Sequence, residues 1–348
     1  MHGIIGRYYN MNKEVTFTSA SSPGRVCLAG ESLDWMIGGP SIVGAIGLRV
    51  MASVKDIKSD GKEDEVLIRA LDPFNVERRI QLSRIGIYNR HTLDFMQASI
   101  KVLLDRGLPI HSFQIDSYTE LPTEAGVSSS AAISLATIAA VGQHFGIERT
   151  QMQICGLAYQ AEKNELKTGV GQMDFYACGL GNLHYLNCAT EPPNPLEKYP
   201  IPKGVKLLLV DTLTSHSTTK SIPRKRERFA AGDPLIMAYI DKALAAVEKI
   251  RSLMPEFERH VEEIGHNVSL CHRYLRDDVR SSTDLLDRCV DTCLANGAYG
   301  GKLIGSGMGG CMFALAREED LGKIQNALTS LPVKVYITAF SQDGVKIE

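Results

Sequence analysis

Hydrophobic and polar positions along the chain mark out a mixed set of elements. Residues 16–22 and 41–54 alternate or run apolar, as strands do, and 65–84 read as two more strands with Asp72-Pro73 at the turn between them. Residues 91–107 carry a helical pattern that stops at Gly107, and 112–119 return to a strand. Two apolar helices follow at 128–145 and 150–164, then a strand at 181–188 behind a glycine turn. Residues 190–203 hold five prolines and little apolar periodicity, and read as a linker or surface connection. Beyond them a buried-type strand at 205–211 precedes helices near 234–254, 256–275 and 282–296. Strands near 301–304 and 311–316, a helix near 318–330 and a strand near 332–339 complete the series. This order is neither repeating βαβ nor segregated, so it predicts an α+β fold of two domains, 1–195 and 196–348.

Composition removes several functions. The net charge is −2, so no overall basic field draws the protein to nucleic acid or to an anionic membrane. One local exception, Arg224, Lys225, Arg226 and Arg228, reads as a solvated loop face, with a contribution to an anionic active site as the alternative. No run approaches the roughly 20 apolar residues needed to cross a bilayer. Residues 1–15 lack an apolar leader core, and a cytoplasmic protein is expected. The eight cysteines are scattered through apolar stretches, as reduced buried thiols are. Cys289 and Cys293 would share a helix face, but no second ligand pair stands at zinc spacing.

Four segments carry candidate chemistry. In Pro122-Thr123-Glu124-Ala125-Gly126-Val127-Ser128-Ser129-Ser130-Ala131, a glycine and three serines open an apolar helix. Free N–H groups and the helix dipole make such a terminus an anion site, and small residues admit a phosphate. An ordinary serine-capped helix would look the same. Gly305-Ser306-Gly307-Met308-Gly309-Gly310 lies between two apolar strands, where a following helix would be needed for a dinucleotide site. Residues 23–39 place Arg25, Glu31 and Asp34 around glycine turns between strands, where charges need a ligand or each other as partners. Finally, Glu162 and Asp174 flank a turn containing Gly169 and Gly171. One carboxylate there suits a metal and the other a proton, although exposed helix-end acids would give the same pattern.

Taken in order, these four segments resemble the motifs of the GHMP kinase family. Within it they are most similar to the galactokinase-like sugar kinases, through Pro23-Gly24-Arg25-Val26-Cys27-Leu28-Ala29-Gly30-Glu31-Ser32-Leu33-Asp34, the triple serine, Gly171-Gln172-Met173-Asp174 and the second glycine loop. The resemblance implies a two-domain fold with the active site in the cleft between domains, and ATP with Mg²⁺ as cofactors. It implies Asp174 and Arg25 as catalytic residues, and a phosphate site formed by Pro122, Gly126, Val127, Ser128, Ser129, Ser130, Ala131 and Gly307. Ser130 and Glu162 become the implied metal ligands. Arg25, Glu31, Ser32, Asp34, Gly171 and Asp174 become the implied substrate contacts. Ser32 stands where galactokinases carry a histidine, and Trp35 where they carry a tyrosine, so the expected acceptor is a small polyol other than plain galactose. The enzyme is expected to act as a monomer or homodimer. A mevalonate-type or amino-alcohol kinase and a non-catalytic sugar and ATP sensor are the alternatives.

Overall fold

The computed structural model describes residues 17–58, 63–123, 125–214 and 218–348. The N-terminal stretch 1–15, the first residue of the expected first strand and Glu124 lie outside them. In chain order the elements are β1 (Thr18–Ala29), α1 (Leu33–Ile37), β2 (Pro40–Asp56), β3 (Glu65–Ala70), β4 (Val76–Gln81), α2 (Asp94–Asp105), β5 (Phe113–Thr119), α3 (Ser129–His144), α4 (Gln151–Gln160), α5 (Met173–Leu180), β6 (Leu183–Asn187) and β7 (Leu196–Tyr199). They continue with β8 (Val205–Asp211), α6 (Thr218–Ala230), α7 (Pro234–Leu253), α8 (Val261–Asp277), α9 (Asp284–Ala295), β9 (Gly300–Leu303), β10 (Cys311–Arg317), α10 (Leu321–Leu328), β11 (Lys334–Thr338) and β12 (Lys346–Ile347).

The strands form two sheets. The first runs β12-β1-β2-β5-β3-β4, with β6 bridging β2 to β7; the second runs β11-β8-β10-β9 and is antiparallel throughout. Helix α3 packs on β1 and β2, and α8 packs on β9. β1 is buried along nearly its whole length because it is covered on both sides. Cys27, Val43, Ala52 and Val54 join the apolar cluster under α3, while Val26, Leu28, Ile42 and Ile46 join a second cluster with Leu207, Leu209, Ile236 and Tyr239. The period-2 alternation along β1 therefore fastens the two halves together, large side chains such as Val26 and Leu28 contributing about 1.5–3 kcal/mol each.

Three expectations change. The first strand does not end at Ser22 as expected: β1 continues through Pro23-Gly24 to Ala29, and the proline sits at a register shift where a strand tolerates a missing donor. Gly24 is there because a Cβ would lie 2.7 Å from Leu121 and 2.8 Å from the Val127 carbonyl. The proline-rich stretch 190–203 contains β7, which pairs with β6 in the first sheet, and β12 returns the C-terminal residues to β1. The basic segment is the helix α6 rather than a loop, with Pro223 inside it. All eight cysteines are free and buried. Among the described residues no helix is long and apolar enough to cross a membrane.

Candidate active site

The site begins with the two glycine segments, which touch. Gly126 adopts φ +79°, and a Cβ on it would lie 2.7 Å from the Ile304 carbonyl; a Cβ on Gly305 would lie 2.9 Å from the Gly126 carbonyl. The Cys311 N–H donates to the Ala125 carbonyl at 3.1 Å, tying the second loop to the first. Ser128 ends the first loop in a left-handed conformation, and α3 starts at Ser129. The Ser128 hydroxyl is buried without a hydrogen-bond partner, at a helix end whose first N–H groups have no intrahelical acceptor. Val127 and Ala131 are buried, whereas Ser129 and Ser130 are partly open. Pro122 is buried beneath the loop. Gly307 packs against Ser281, whose carbonyl would be 2.2 Å from a Cβ there, and Met308 is the exposed tip.

β1 carries Arg25 to the edge of this loop. Its N–H donates to the Val127 carbonyl, and its Nη1 donates to the Gly126 carbonyl at 2.8 Å. The rest of the guanidinium grips Asp174 as a fork, Nε to Oδ1 at 2.7 Å and Nη2 to Oδ2 at 3.0 Å. Burial works against the Arg25 charge, but Asp174 and Glu31 outweigh it and hold the guanidinium above its ordinary range. Asp174 lies in the first turn of α5 and remains 30% exposed while Arg25 is buried. A pinned yet open carboxylate suits an acceptor of a proton.

Asp34 reaches the same place from α1. Its Oδ2 accepts the Met173 N–H at 3.2 Å. Its carboxyl fills the space beside Gly171, where a Cβ would come within 1.9 Å of Oδ2, so only glycine fits. Burial, then the neighbouring Asp174 charge, pushes Asp34 up to about 7.

Glu162 sits on a π-helical turn after α4, 3% exposed. Thr168 donates to its Oε1, the Ser130 hydroxyl lies beside the carboxylate, and Oε2 is buried without a partner. Burial pushes Glu162 up to about 7. A free carboxylate oxygen beside a serine hydroxyl is a fitting donor set for a small hard cation that keeps water and phosphate oxygens as its other ligands. No group of three or more metal-binding side chains exists among the described residues.

Glu31 is placed differently from Asp34. It is 3% exposed, with Oε2 accepting from Lys302 at 2.8 Å and Oε1 3.8 Å from Arg25. Burial opposes its charge, yet Lys302 and Arg25 outweigh burial and hold it below the usual carboxylate range. Ser32 is buried with φ +70°. The basic cluster divides. Arg226 stacks over Trp35 at 5.4 Å and donates to the Gly169 carbonyl, whereas Lys225 is buried near Glu31, its ammonium without a hydrogen bond and pushed down to about 8 by burial.

Lys302 and Thr168 were not among the residues singled out from sequence, and Lys225 was singled out only as a member of the basic cluster. A lysine inside the apolar strand around Gly301 and Leu303 was the available signal for Lys302, because a buried ammonium requires an anionic partner.

Known proteins place the chain in a family. The family model for the GHMP kinases N terminal domain matches residues 94–182, and that for GHMP kinases C terminal matches 244–334, together just over half the chain. The chain is 26% identical to a mevalonate kinase of Thermococcus sibiricus over 340 residues, 94% of this chain and 98% of the relative. It is 25% identical to a galactokinase of Pyrococcus furiosus over 350 residues, 93% and 94% of the two chains. Among solved structures, a Lactococcus lactis galactokinase complexed with galactose superposes with a TM-score of 0.80 at 19% identity, covering 98% of this chain and 97% of the other. A Methanococcus jannaschii mevalonate kinase gives 0.77 at 22% identity, covering 94% and 99%. The chain belongs to the GHMP kinase family, with its two-domain fold, and is an ATP-dependent small-molecule kinase.

Proposed function

We propose that the protein transfers the γ-phosphoryl group of ATP to a hydroxyl of a small polyol: a sugar, a sugar derivative or a cyclitol. The observation that carries this reading is the meeting of two carboxyl groups, Asp34 and Asp174, beside the Arg25 fork. Asp174 takes the proton of the attacking hydroxyl, and Arg25 offsets the charge that develops on that oxygen. Asp34, pushed up to about 7, can both donate to and accept from a neighbouring hydroxyl at neutral pH. A carboxylate on the substrate would meet like charge there. Gly171 leaves room for Asp34, and Ser32 supplies a short hydroxyl where a ring would fill the space.

The loop 125–131 receives the ATP phosphates, with the unpartnered Ser128 hydroxyl and the start of α3 as donors. Ser130 and the free Glu162 Oε2 hold Mg²⁺. When bound, Mg²⁺ neutralises charge on the phosphate oxygens. Phosphoryl transfer needs positioning and charge stabilisation more than covalent chemistry, and these residues provide both. We read the protein as cytoplasmic, a monomer or homodimer acting on a small molecule, without nucleic acid or membrane.

A second reading, a mevalonate-type acceptor bearing a carboxylate, is favoured by one observation. Lys225 is a buried ammonium without a hydrogen-bond partner near the acceptor side of the site. Specificity constants for galactose, galacturonate, arabinose, myo-inositol and mevalonate separate the readings. The polyol reading expects a neutral polyol to be best, and one other than galactose. Mevalonate or galacturonate as the best acceptor would replace it with the second.

A further inference from the structure

Lys302 is completely buried, which a lysine rarely is without partners. It rises from β9 of the second sheet and donates to the Cys27 carbonyl at 2.9 Å and to Glu31 Oε2 at 2.8 Å. The other oxygen of Glu31 faces Arg25 Nη2 at 3.8 Å, and the same Nη2 donates to Asp174 Oδ2 at 3.0 Å. Cation, anion, cation and anion thus stand in line, from the second sheet to the carboxylate at the head of α5. Every nitrogen of the Arg25 guanidinium is committed within this line or to the Gly126 carbonyl.

We infer that Lys302 is a positioning residue for phosphoryl transfer, holding Glu31 so that Arg25 stays turned toward Asp174. The inference rests on the proposed role of Asp174 as the proton acceptor. Its physical content is a competition. Glu31 and Asp174 are both anions within reach of one guanidinium, and Lys302 satisfies Glu31 from behind. Without that ammonium, Glu31 draws Arg25 toward itself and loosens the fork on Asp174. Lys225 also faces Glu31, but its ammonium makes no hydrogen bond and burial weakens its charge, so it replaces Lys302 poorly. The remaining groups around Glu31 are Asp34, the buried thiols Cys27 and Cys271, and Tyr239, whose hydroxyl donates to the Glu31 backbone carbonyl. Around Asp174 they are Asp34, Glu162, Cys178 and Cys188. Apart from the cations Arg25, Lys225 and Lys302, these groups are acids or neutral, so none of them takes over the task.

A purely structural strut would lower stability and leave the pH dependence of turnover in place. The test is kinetic, on the full-length protein. Lys302→Met, Lys302→Gln, the pair Lys302→Met with Glu31→Gln, and Asp174→Asn are compared with wild type, using ATP and the most active of the five acceptors named above. If none turns over, slow γ-phosphoryl transfer to water serves as the readout. The single Lys302 variants are expected to lower kcat roughly 10- to 100-fold, as a misplacement near 1 Å does, with KM for ATP within about threefold. The acidic limb of kcat is expected to move up by about half a pH unit or more, because Asp174 loses part of its cation. Adding Glu31→Gln removes the competitor, and the limb should return to within about 0.3 unit of wild type. A folded Lys302 variant with wild-type kcat and limb overturns the inference. Should the single variants not fold, a double variant whose limb stays displaced by about half a unit also overturns it, since Lys302 would then act by another route. Asp174→Asn keeps the two claims apart. If it retains turnover, the site reading fails; if it is inactive while the Lys302 variants are unchanged, only this inference fails.

Discussion

Two glycines with the same backbone angle isolate what the contact between the loops is worth. Gly126 and Gly107 both have φ +79°. A Cβ at Gly107 meets nothing within 4 Å, whereas one at Gly126 lies 2.7 Å from the Ile304 carbonyl oxygen and 3.3 Å from its carbon. Gly107→Ala therefore carries only the left-handed penalty, roughly 1–2 kcal/mol, less a few tenths returned by a stiffer unfolded chain. Gly126→Ala carries the same penalty plus an overlap that the backbone on both sides resists. Overpacking of that kind costs about 1–3 kcal/mol, which with the backbone penalty gives roughly 2–5 kcal/mol. The overlap also moves the Gly126 carbonyl, which accepts from Arg25 at 2.8 Å. Urea unfolding of both variants, with kcat/KM for ATP, measures the two effects. Gly126→Ala is expected to lose about twice the stability of Gly107→Ala or more, and on the order of tenfold in kcat/KM, with Gly107→Ala near wild type in kinetics. Equal losses in the two variants would refute the argument that the loops are pressed backbone to backbone.

Two other substitutions test the carboxyl groups. Asp34 is pushed up from 3.8 to about 7 in the folded protein, so between about pH 4 and 7 the unfolded chain ionises it while the native state keeps its proton. Stability from this group falls as pH rises through that window; Asp34→Asn removes the slope, and its melting temperature relative to wild type should rise from pH 5 to pH 8. A difference independent of pH would contradict a proton held on Asp34 in the folded protein. Glu162→Gln should raise the Mg²⁺ concentration for half-maximal activity on the order of tenfold or more, with a much smaller change in KM for the acceptor. Magnesium dependence equal to wild type would remove Glu162 from the metal site.

Much of this was legible in the chain, for identifiable reasons. The glycine-serine loop 125–131, Arg25 and Asp174 are local features, each marked by glycine, serine or charge in an apolar setting. Helix α3 was visible because it is apolar nearly all round and buried. The extension of β1 through Pro23-Gly24 was not, because the same pair that breaks strands in general is here a bulge shaped by Leu121 and Val127. Helix α6 was hidden by its charge and by Pro223. Glu31 and Asp34 look alike in sequence, three residues apart on the same turn. Their different fates depend on Lys302 and on Gly171, which lie far away along the chain. Spacing carries no information about such pairings; an isolated lysine in an apolar strand does, since it announces a buried partner.

The account stands most directly on Asp174→Asn. The substitution keeps the size of the side chain and one acceptor for Arg25, and removes the proposed base. ATP affinity, measured by calorimetry, should remain within about threefold of wild type, because the loop proposed to receive the phosphates is formed without the Asp174 side chain. Phosphoryl transfer to the best acceptor should fall by at least about a hundredfold, the scale of a lost general base. Turnover within a few-fold of wild type, with ATP binding intact, would contradict the assignment of the reaction to this carboxylate.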